Sequence, residues 1–415
     1  MFEQELLELA ISIGYHLQMC GAEIYRVEAA VNRLLKAYGV PGDVFAIPNC
    51  LIVTVCPDNG RPMTRMRRIG YHGTDINAIE QFYGLARQLC REKPPIAEAL
   101  LRLQRTKQHR VYYSLPVLCL GYFLAAGFFG IQFGGTWTDG ILSGLCGVVV
   151  GLFLRAMTVW QVNPFFQNIT GAFIIAFVSQ TLTHIGAIRY ADAAAIGALM
   201  LLVPGMAFTD SMRDIIYGDT LSGINRLAQV FLTAAALLLG TGTALGLSNL
   251  LWHSTASLGI HASMHYPALV QCLAGAIACG GFCLLYNIRL PGVFICMAGA
   301  FLSWAVYLGA QYFGAGVYLA NFFAAVAVSL YAELMARIRK FPSVSYLVIA
   351  LLPLVPGSGV YYTVEYMLEG AGELSLRQGV RTAAIAGVLA VGVLLVSSLF
   401  KMVENIRRGQ YMDKK

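Results

Sequence analysis

The sequence predicts a polytopic all-α membrane protein: about ten transmembrane helices arranged as two inverted five-helix repeats, with a small N-terminal α/β domain on the cytoplasmic side. Composition, charge distribution and a repeated tetrapeptide lead to this prediction. Hydrophobic residues make up 57% of the 415 positions and charged residues only 12%, whereas soluble domains carry roughly 25% charged residues. This composition excludes a disordered chain and argues against a conventional soluble enzyme.

Charge divides the chain into a polar N-terminal part, a long apolar block and a short tail. Residues 1–110 hold 14 Lys/Arg and 11 Asp/Glu, whereas residues 111–400 hold only ten and nine. The first ten residues contain three Glu and no Lys or Arg, so we expect no secretory signal. The expected domains are a cytoplasmic α/β domain (1–110), a first five-helix repeat (111–255), a second five-helix repeat (256–402) and a cytoplasmic tail (403–415).

The N-terminal part alternates between helical and strand patterns. The predicted elements are an amphipathic helical region over 4–38 with a break near Cys20-Gly21, a strand over 44–55, a tight turn at Asp58-Asn-Gly60, a strand over 63–69, and helices over 75–91 and 95–109. No Walker, GxGxxG, GxSxG or HExxH motif occurs, and the ten Cys show no CxxC pair. We therefore predict no enzymatic activity, no catalytic residue, no cofactor and no metal.

Ten segments are long and apolar enough to cross a bilayer, which takes about 20 residues in a helix. They are 114–134, 139–159, 164–186, 191–212, 226–250, 266–286, 291–312, 316–336, 343–368 and 379–401. The fourth and the ninth contain Pro-Gly in their middle.

Lys and Arg in the loops predict the orientation of the spans. With both termini in the cytoplasm, the inside receives 16 of these residues and the outside three, namely Arg189, Arg377 and Arg381. Much of the net charge of +7 therefore flanks the spans. We expect cytoplasmic termini and no nucleic-acid partner.

The tetrapeptide Leu-Val-Pro-Gly occurs at 202–205 and again at 354–357, and Gly218 and Gly370 share the same offset of 152 residues. Five spans lie in each half, and because five is odd, the halves must have opposite orientations. Interrupted helices at matching positions are typical of the substrate sites of secondary transporters. Proline frees a helix carbonyl, which lipid tolerates only where protein or a water-filled cavity covers it. The alternative is a pair of simple kinks that assist packing.

Charged residues follow the first break. Asp210 and Asp214 share a helix face beside Arg213, and Asp219 and Arg226 follow. Ionisable residues near membrane depth are costly and functional by default. Arg can bind a carboxylate through two parallel hydrogen bonds, and Asp can bind an ammonium group or carry a proton. The alternative is a cytoplasmic loop whose charges cap helix ends.

The second copy departs from this pattern. Asp210, Arg213 and Asp214 correspond to Tyr362, Glu365 and Tyr366, and Asn168 and Asn321 lie 153 residues apart. For each Asn the alternative is a helix–helix hydrogen bond, and for Glu365 it is the outer surface. The candidate substrate-binding residues are Pro204, Gly205, Arg213, Arg226, Pro356, Gly357, Ser358, Tyr361, Tyr362, Asn168 and Asn321. The candidate proton-coupling residues are Asp210, Asp214, Asp219 and Glu365. In the N-terminal domain, Gly21, Glu23, Arg26 and Glu28 form a charged motif that is either a salt-bridged surface or a gate or sensor.

Several motifs together resemble the threonine/serine exporter family. They are Gly21-Ala-Glu-Ile-Tyr-Arg-Val-Glu28, Thr64-Arg-Met-Arg-Arg-Ile69, Leu202-Val-Pro-Gly…Arg213-Asp214…Gly218-Asp219…Ser222-Gly223…Arg226, and Leu354-Val-Pro-Gly…Tyr361. The resemblance implies a ten-span exporter of small hydroxy amino acids in a bacterial inner membrane, driven by protons, with a cytoplasmic N-terminal domain. The expected partners are the lipid bilayer, a small-molecule substrate and protons, with a homo-oligomer as a further expectation.

Three alternatives stay open at this point. Related two-chain systems are associated with succinate export, so the substrate could be a C4 dicarboxylate. The chain could instead be a membrane enzyme or a sensor that acts through its N-terminal domain. An ion channel is the third alternative.

Overall fold

The structure is a computed structural model that describes residues 2–56, 61–70, 73–252, 264–339 and 341–412, without the side chains of 404, 405 and 407–412. The predicted turn at Asp58-Asn-Gly60 and most of the loop 251–265 lie outside the described residues. The described chain divides into two compact units. The N-terminal unit comprises Met1–Tyr113 and Tyr286–Arg289, and the membrane unit comprises Ser114–Leu285 and Leu290–Lys415.

The N-terminal unit packs helices against a three-stranded antiparallel sheet in the order β1-β2-β3. Its elements are α1 (Phe2–Met19), α2 (Ile24–Ala37), β1 (Gly42–Ile47), β2 (Cys50–Val55), β3 (Met63–Arg68), α3 (Ile76–Glu92) and α4 (Ile96–Gln108). Alternate residues of β2, namely Leu51, Val53 and Val55, are fully buried, as expected of a strand with one face on a core. The strand predicted over 44–55 is wrong, because Pro48-Asn49 forms a turn that folds it into the β1-β2 hairpin.

The short segment Tyr286–Arg289, which follows Leu285 of the membrane unit, is part of the N-terminal unit and forms hydrogen bonds with it. Asp75 caps α3 by accepting from Ala78 N at 3.0 Å, and it also accepts from Asn287 Nδ2 at 3.0 Å. Asn287 Nδ2 also donates to Val111 O at 3.0 Å. Tyr113 Oη donates to Ile288 O at 2.9 Å. One buried amide therefore ties this connection to two parts of the N-terminal unit.

The membrane unit is helical. Its elements are α5 (Leu115–Gln132), α6 (Trp137–Val159), α7 (Pro164–His184), α8 (Ala191–Leu199), α9 (Gly205–Tyr217), α10 (Thr220–Trp252), α11 (Ala268–Leu285), α12 (Gly292–Tyr312), α13 (Val317–Arg339), α14 (Val344–Leu351), α15 (Gly357–Leu368) and α16 (Gly372–Met412). Among the described residues, eight helices are long and apolar enough to cross a membrane. The chain is thus a mostly helical polytopic membrane protein, as predicted. The α8–α9 and α14–α15 pairs are the predicted fourth and ninth segments, each interrupted before its Gly.

The backbone repeats with the offset seen in the sequence. α11 begins and ends 153 residues after α5 begins and ends, and α15 begins 152 residues after α9. Residues with positive φ recur with the same spacing at the ends of helices. They are Gly134 and Asn287, Gln161 and Gly314, and Gly218 and Gly370. The repeat therefore extends well beyond the shared tetrapeptide.

The two interrupted segments touch at their breaks. Pro204 and Pro356 each immediately precede the first residue of a helix, where a missing N–H costs no helix hydrogen bond. A Cβ added to Gly205 would overlap Val355 Cγ1, and one added to Gly357 would lie 2.6 Å from Met200 Sδ. Glycine is required at both positions because the backbone of each break packs directly against a side chain of the other half.

This contact predicts that Gly205→Ala destabilises the protein. The new methyl group would overlap Val355, and overpacking of this kind costs about 1–3 kcal/mol. Val355→Ala in the same chain should remove the overlap, so the double variant should be more stable than the sum of the single effects. Thermal unfolding of the detergent-purified protein measures both.

Gly357→Ala is the matched control for this prediction. Its new methyl group would meet Met200, whose flexible thioether can move aside, so the loss should be smaller. Additive effects of Gly205→Ala and Val355→Ala would contradict the contact between the breaks.

Candidate functional site

Four predicted residues form an ion-pair network, here called the charge cluster: Asp210, Arg213, Asp214 and Arg226. Arg213 Nη2 lies 3.0 Å from Asp210 Oδ1 on the same helix. Arg226 bridges both acids, with Nη1 at 3.4 Å from Asp210 Oδ2 and Nε at 3.3 Å from Asp214 Oδ2. All four side chains are at most 20% exposed. Two cations thus neutralise two carboxylates in a mostly buried site.

Local glycines bring Arg226 to the two acids. Gly218 ends α9 in the left-handed conformation with φ of 104°, which glycine adopts without steric cost. The chain then turns back into α10, where Gly223 lets the two helices approach closely. A Cβ on Gly223 would lie 2.5 Å from Ile215 Cγ1 and 2.9 Å from Ser211 O. The motif glycines therefore set the geometry in which the charges pair.

The pairing bears on the roles predicted for these residues. In this conformation Arg213 and Arg226 already bind protein carboxylates, so a substrate carboxylate would have to displace Asp210 or Asp214. Asp219 lies at the turn between the helices, where its backbone N donates to Asp214 O at 2.9 Å. In the described structure its side chain does not join the charge cluster. The assignments of these five residues to substrate and proton binding stay predictions.

A cavity of about 420 Å³ lies in the second half, beside the α14–α15 break. This volume falls within the range of roughly 300–1,000 Å³ of small-molecule sites. Four predicted residues line it, namely Asn321, Pro356, Ser358 and Tyr362. Its other polar lining residues are Trp304, Tyr307, Tyr366, Gln378, Arg381 and Thr382. The cavity therefore lies between α12, α13, the break and α16, and both polar and apolar side chains line it.

Arg381 is the charged lining residue that the sequence analysis did not assign to the site. It was assigned to the external loops, yet it lies on α16 and faces the cavity. Within the described part of the chain no carboxylate pairs with it. The signal was present in the sequence, because Arg381 is the only charged residue between 378 and 400 and falls inside the predicted tenth span.

The cavity occupies the place in the second half that the charge cluster occupies in the first. Tyr362, Tyr366 and Gln378 line the cavity, and each lies 152 residues after Asp210, Asp214 and Arg226 respectively. These three positions thus carry paired charges in the first half and neutral polar side chains beside the cavity in the second.

A second group of polar residues is buried where α8 meets α15. Glu365 is 2% exposed, and both of its carboxylate oxygens, like the Tyr361 hydroxyl, lack a hydrogen-bond partner among the described residues. Asp192 on α8 is 7% exposed and lies close enough to interact electrostatically with Glu365 and Tyr361. Glu365 is therefore interior, and Asp192, an acid inside the predicted fourth span, was overlooked.

The two predicted asparagines differ in their surroundings. Asn168 is half-buried on α7 and does not line the cavity. Asn321 lines the cavity, and its Nδ2 donates to Val317 O of its own helix at 2.8 Å. Pro204 and Gly205 lie where the two breaks touch. Gly357 of the second break faces Met200 and Val203 of the first interrupted segment.

The N-terminal motif makes contacts within its own unit. Gly21 has φ of 90°, and a Cβ there would lie 2.7 Å from Gly73 O. Glu23 is 6% exposed and pairs with Arg26 at 2.5 Å. Glu28 Oε1 accepts from Ala46 N of β1 at 2.8 Å. These contacts attach α2 to its neighbours.

In the ranges that the structure describes, no group of three or more His, Cys, Asp or Glu side chains is placed to hold a metal ion.

Comparison with known proteins gives the family. The model described as "Putative threonine/serine exporter" matches residues 8–248, and that described as "Threonine/Serine exporter, ThrE" matches residues 271–399. A protein of Mycobacterium tuberculosis named "Probable threonine/serine exporter" is 24% identical, covering 94% of this chain and 76% of its own length. The "Threonine/serine exporter" of Corynebacterium glutamicum is 21% identical, covering 94% and 81%. No solved structure matches the chain. Because the first model alone spans more than half of the sequence and the second covers most of the rest, the chain belongs to the threonine/serine exporter family.

Proposed function

We propose that this protein exports threonine and serine across a bacterial inner membrane as a proton-coupled secondary transporter with substrate bound in the cavity beside Pro356. The observation that carries the proposal is Arg381, a guanidinium without a described carboxylate partner in a cavity bounded by a helix break. The family of the chain and the names of its relatives supply the class of substrate. They also favour a transporter over an enzyme.

Arg381 suits the carboxylate of an amino acid. A guanidinium can hold a carboxylate through two parallel, charge-assisted hydrogen bonds. The N-terminus of α15 begins at Gly357 beside the cavity, and its dipole places partial positive charge there. Both features favour an anionic group at this end of the cavity.

The break supplies acceptors for the ammonium group. Pro353 and Leu354 line the cavity, and their carbonyl oxygens accept no backbone hydrogen bond in the described structure. Carbonyls exposed by an unwound segment are the usual cation ligands of such transporters. Ser358 and Asn321 offer a hydroxyl and an amide for the substrate hydroxyl. A hydroxy amino acid thus finds a partner for each of its polar groups.

A C4 dicarboxylate fits less well. It would call for two cationic contacts, and Arg381 is the only cation among the described lining residues.

The proposed topology has two inverted five-helix repeats, a cytoplasmic N-terminal domain and cytoplasmic termini. In this topology the cavity faces the outside, and the charge cluster lies on the cytoplasmic side. Membership of Tyr286–Arg289 in the N-terminal unit supports the topology, because this connection is also predicted to be cytoplasmic. Alternating access then requires the charge cluster to open while the cavity closes.

Transport itself is tested in liposomes that contain the full-length protein and labelled threonine, serine or succinate. We expect efflux of threonine and serine that accelerates when the outer solution is acidified, and no succinate efflux. Protein-free liposomes give the background leak. Efflux of succinate alone would move the substrate to the dicarboxylates, and no efflux of any of the three would contradict the proposed function.

The role of Arg381 is tested by Arg381→Ala and Arg381→Lys. Hydrogen bonds to a charged group are worth about 1.5–3 kcal/mol, so Arg381→Ala should weaken apparent substrate affinity by roughly tenfold to a hundredfold. Lys retains the charge but loses the two-pronged geometry, so Arg381→Lys should be intermediate. Concentration dependence of threonine exchange in liposomes measures the effect.

Arg377→Ala is the matched control. Arg377 lies one turn earlier on α16, is exposed and pairs with Glu373 at 2.7 Å. Its loss should leave affinity unchanged. Equal effects at the two positions would show that Arg381 contributes surface charge rather than a binding group.

A further inference from the structure

We propose that Asp192 and Glu365 form the proton-carrying pair of the transporter, with one carboxyl group contributed by each half of the membrane unit. The inference deepens the proposed function and rests on it for the coupling role. The two acids lie where α8 meets α15, outside the cavity lining and outside the charge cluster.

The groups around Glu365 do not compensate its charge. The described charged groups that act on it are both acids, Asp192 on α8 and Glu369 one turn further along α15. The remaining titratable neighbours are the phenols of Tyr361 and Tyr362. Because an isolated ionised carboxylate is very costly to bury and two close carboxylates resist joint ionisation, the pair holds a proton in this conformation.

The Tyr361 hydroxyl is independent support for a proton site. It is buried and unpartnered, and it lies within electrostatic reach of both acids. A buried hydroxyl without a partner is costly, and a side-chain movement that brings a carboxyl group within hydrogen-bond distance would satisfy it. The phenol and the two acids therefore form one buried polar group where α8 meets α15.

The position of the pair links the proton to the movement of the halves. Tyr361 packs into the apolar cluster that contains Ala195, Leu199 and Leu202, so α15 lies against the first interrupted segment. A proton on either acid permits this approach, whereas loss of the proton would leave two like charges within electrostatic reach of each other. Deprotonation therefore favours separation of α8 from α15, and protonation favours the packed state.

The pair is also adjacent to the substrate cavity. Tyr362, which lines the cavity, lies three residues before Glu365 on the same helix face. A conformational change that moves α15 therefore acts on the cavity and on the proton site together. One proton bound from the outside and released to the cytoplasm would accompany the outward passage of substrate.

The transport test uses the full-length protein in liposomes with Glu365→Gln and Asp192→Asn. We expect both variants to lose the acceleration of net threonine efflux by an acidic exterior. They should retain threonine–threonine exchange, which needs no net proton movement. Glu373→Gln is the control, because Glu373 is exposed and paired with Arg377, and it should behave as the parent protein. Full gradient dependence in both variants would overturn the proposal.

A spectroscopic test keeps the proposal falsifiable if a variant loses all transport, or if the parent protein exports neither amino acid. Infrared difference spectra between two pH values report the carbonyl stretch of protonated carboxyl groups. We expect such a band in the purified parent protein and in Glu373→Gln, and its loss or shift in Glu365→Gln and Asp192→Asn. A parent spectrum without that band, or a band unchanged in both variants, would refute the proton pair whatever the substrate is.

Discussion

The contact between the two Pro-Gly breaks is the constraint on which the rest of the membrane unit depends. Gly205 has no room for a side chain because Val355 of the other half fills that space. Each helix starts at the break, so two helix N-termini converge in the interior of the protein. The cavity opens beside one of them, and the two buried acids lie on the segments that meet there. In the proposed mechanism, substrate binding, proton binding and the movement of the halves therefore involve the same pair of segments.

Helices begin and end at matching positions in the two halves, but the side chains at those positions differ. In the first half, the helix–turn–helix after the break is neutralised internally by two acids and two arginines. In the second half, the same positions hold Tyr362, Tyr366 and Gln378 around a cavity. A conformational exchange between the halves would not produce two equivalent sites. One end would open by separating ion pairs, at a cost that the low dielectric of the interior raises, and the other by moving side chains among which the described structure has no ion pair.

Much of the fold was predictable from sequence, because hydrophobic length and the repeated tetrapeptide are local signals. Both identified the interrupted segments and where each break falls. Ion pairing within the charge cluster was not predictable, since the spacing of Asp210 and Arg226 does not reveal that Gly218 and Gly223 fold one helix onto the other. Asp192 and Arg381 were overlooked because each lies near the end of a span, where a charge is usually assigned to the loop. The hairpin at Pro48-Asn49 was missed because the apolar pattern continues across the turn.

Hydrogen bonds hold the connection between α11 and α12 in the N-terminal unit. The four residues Tyr286–Arg289 belong to that unit, with Asn287 bound to Asp75 and Val111, although the second half carries them. The two halves are therefore joined twice, once by the peptide chain and once through this docked connection. In a chain divided between α10 and α11, these hydrogen bonds would be noncovalent contacts between the two parts.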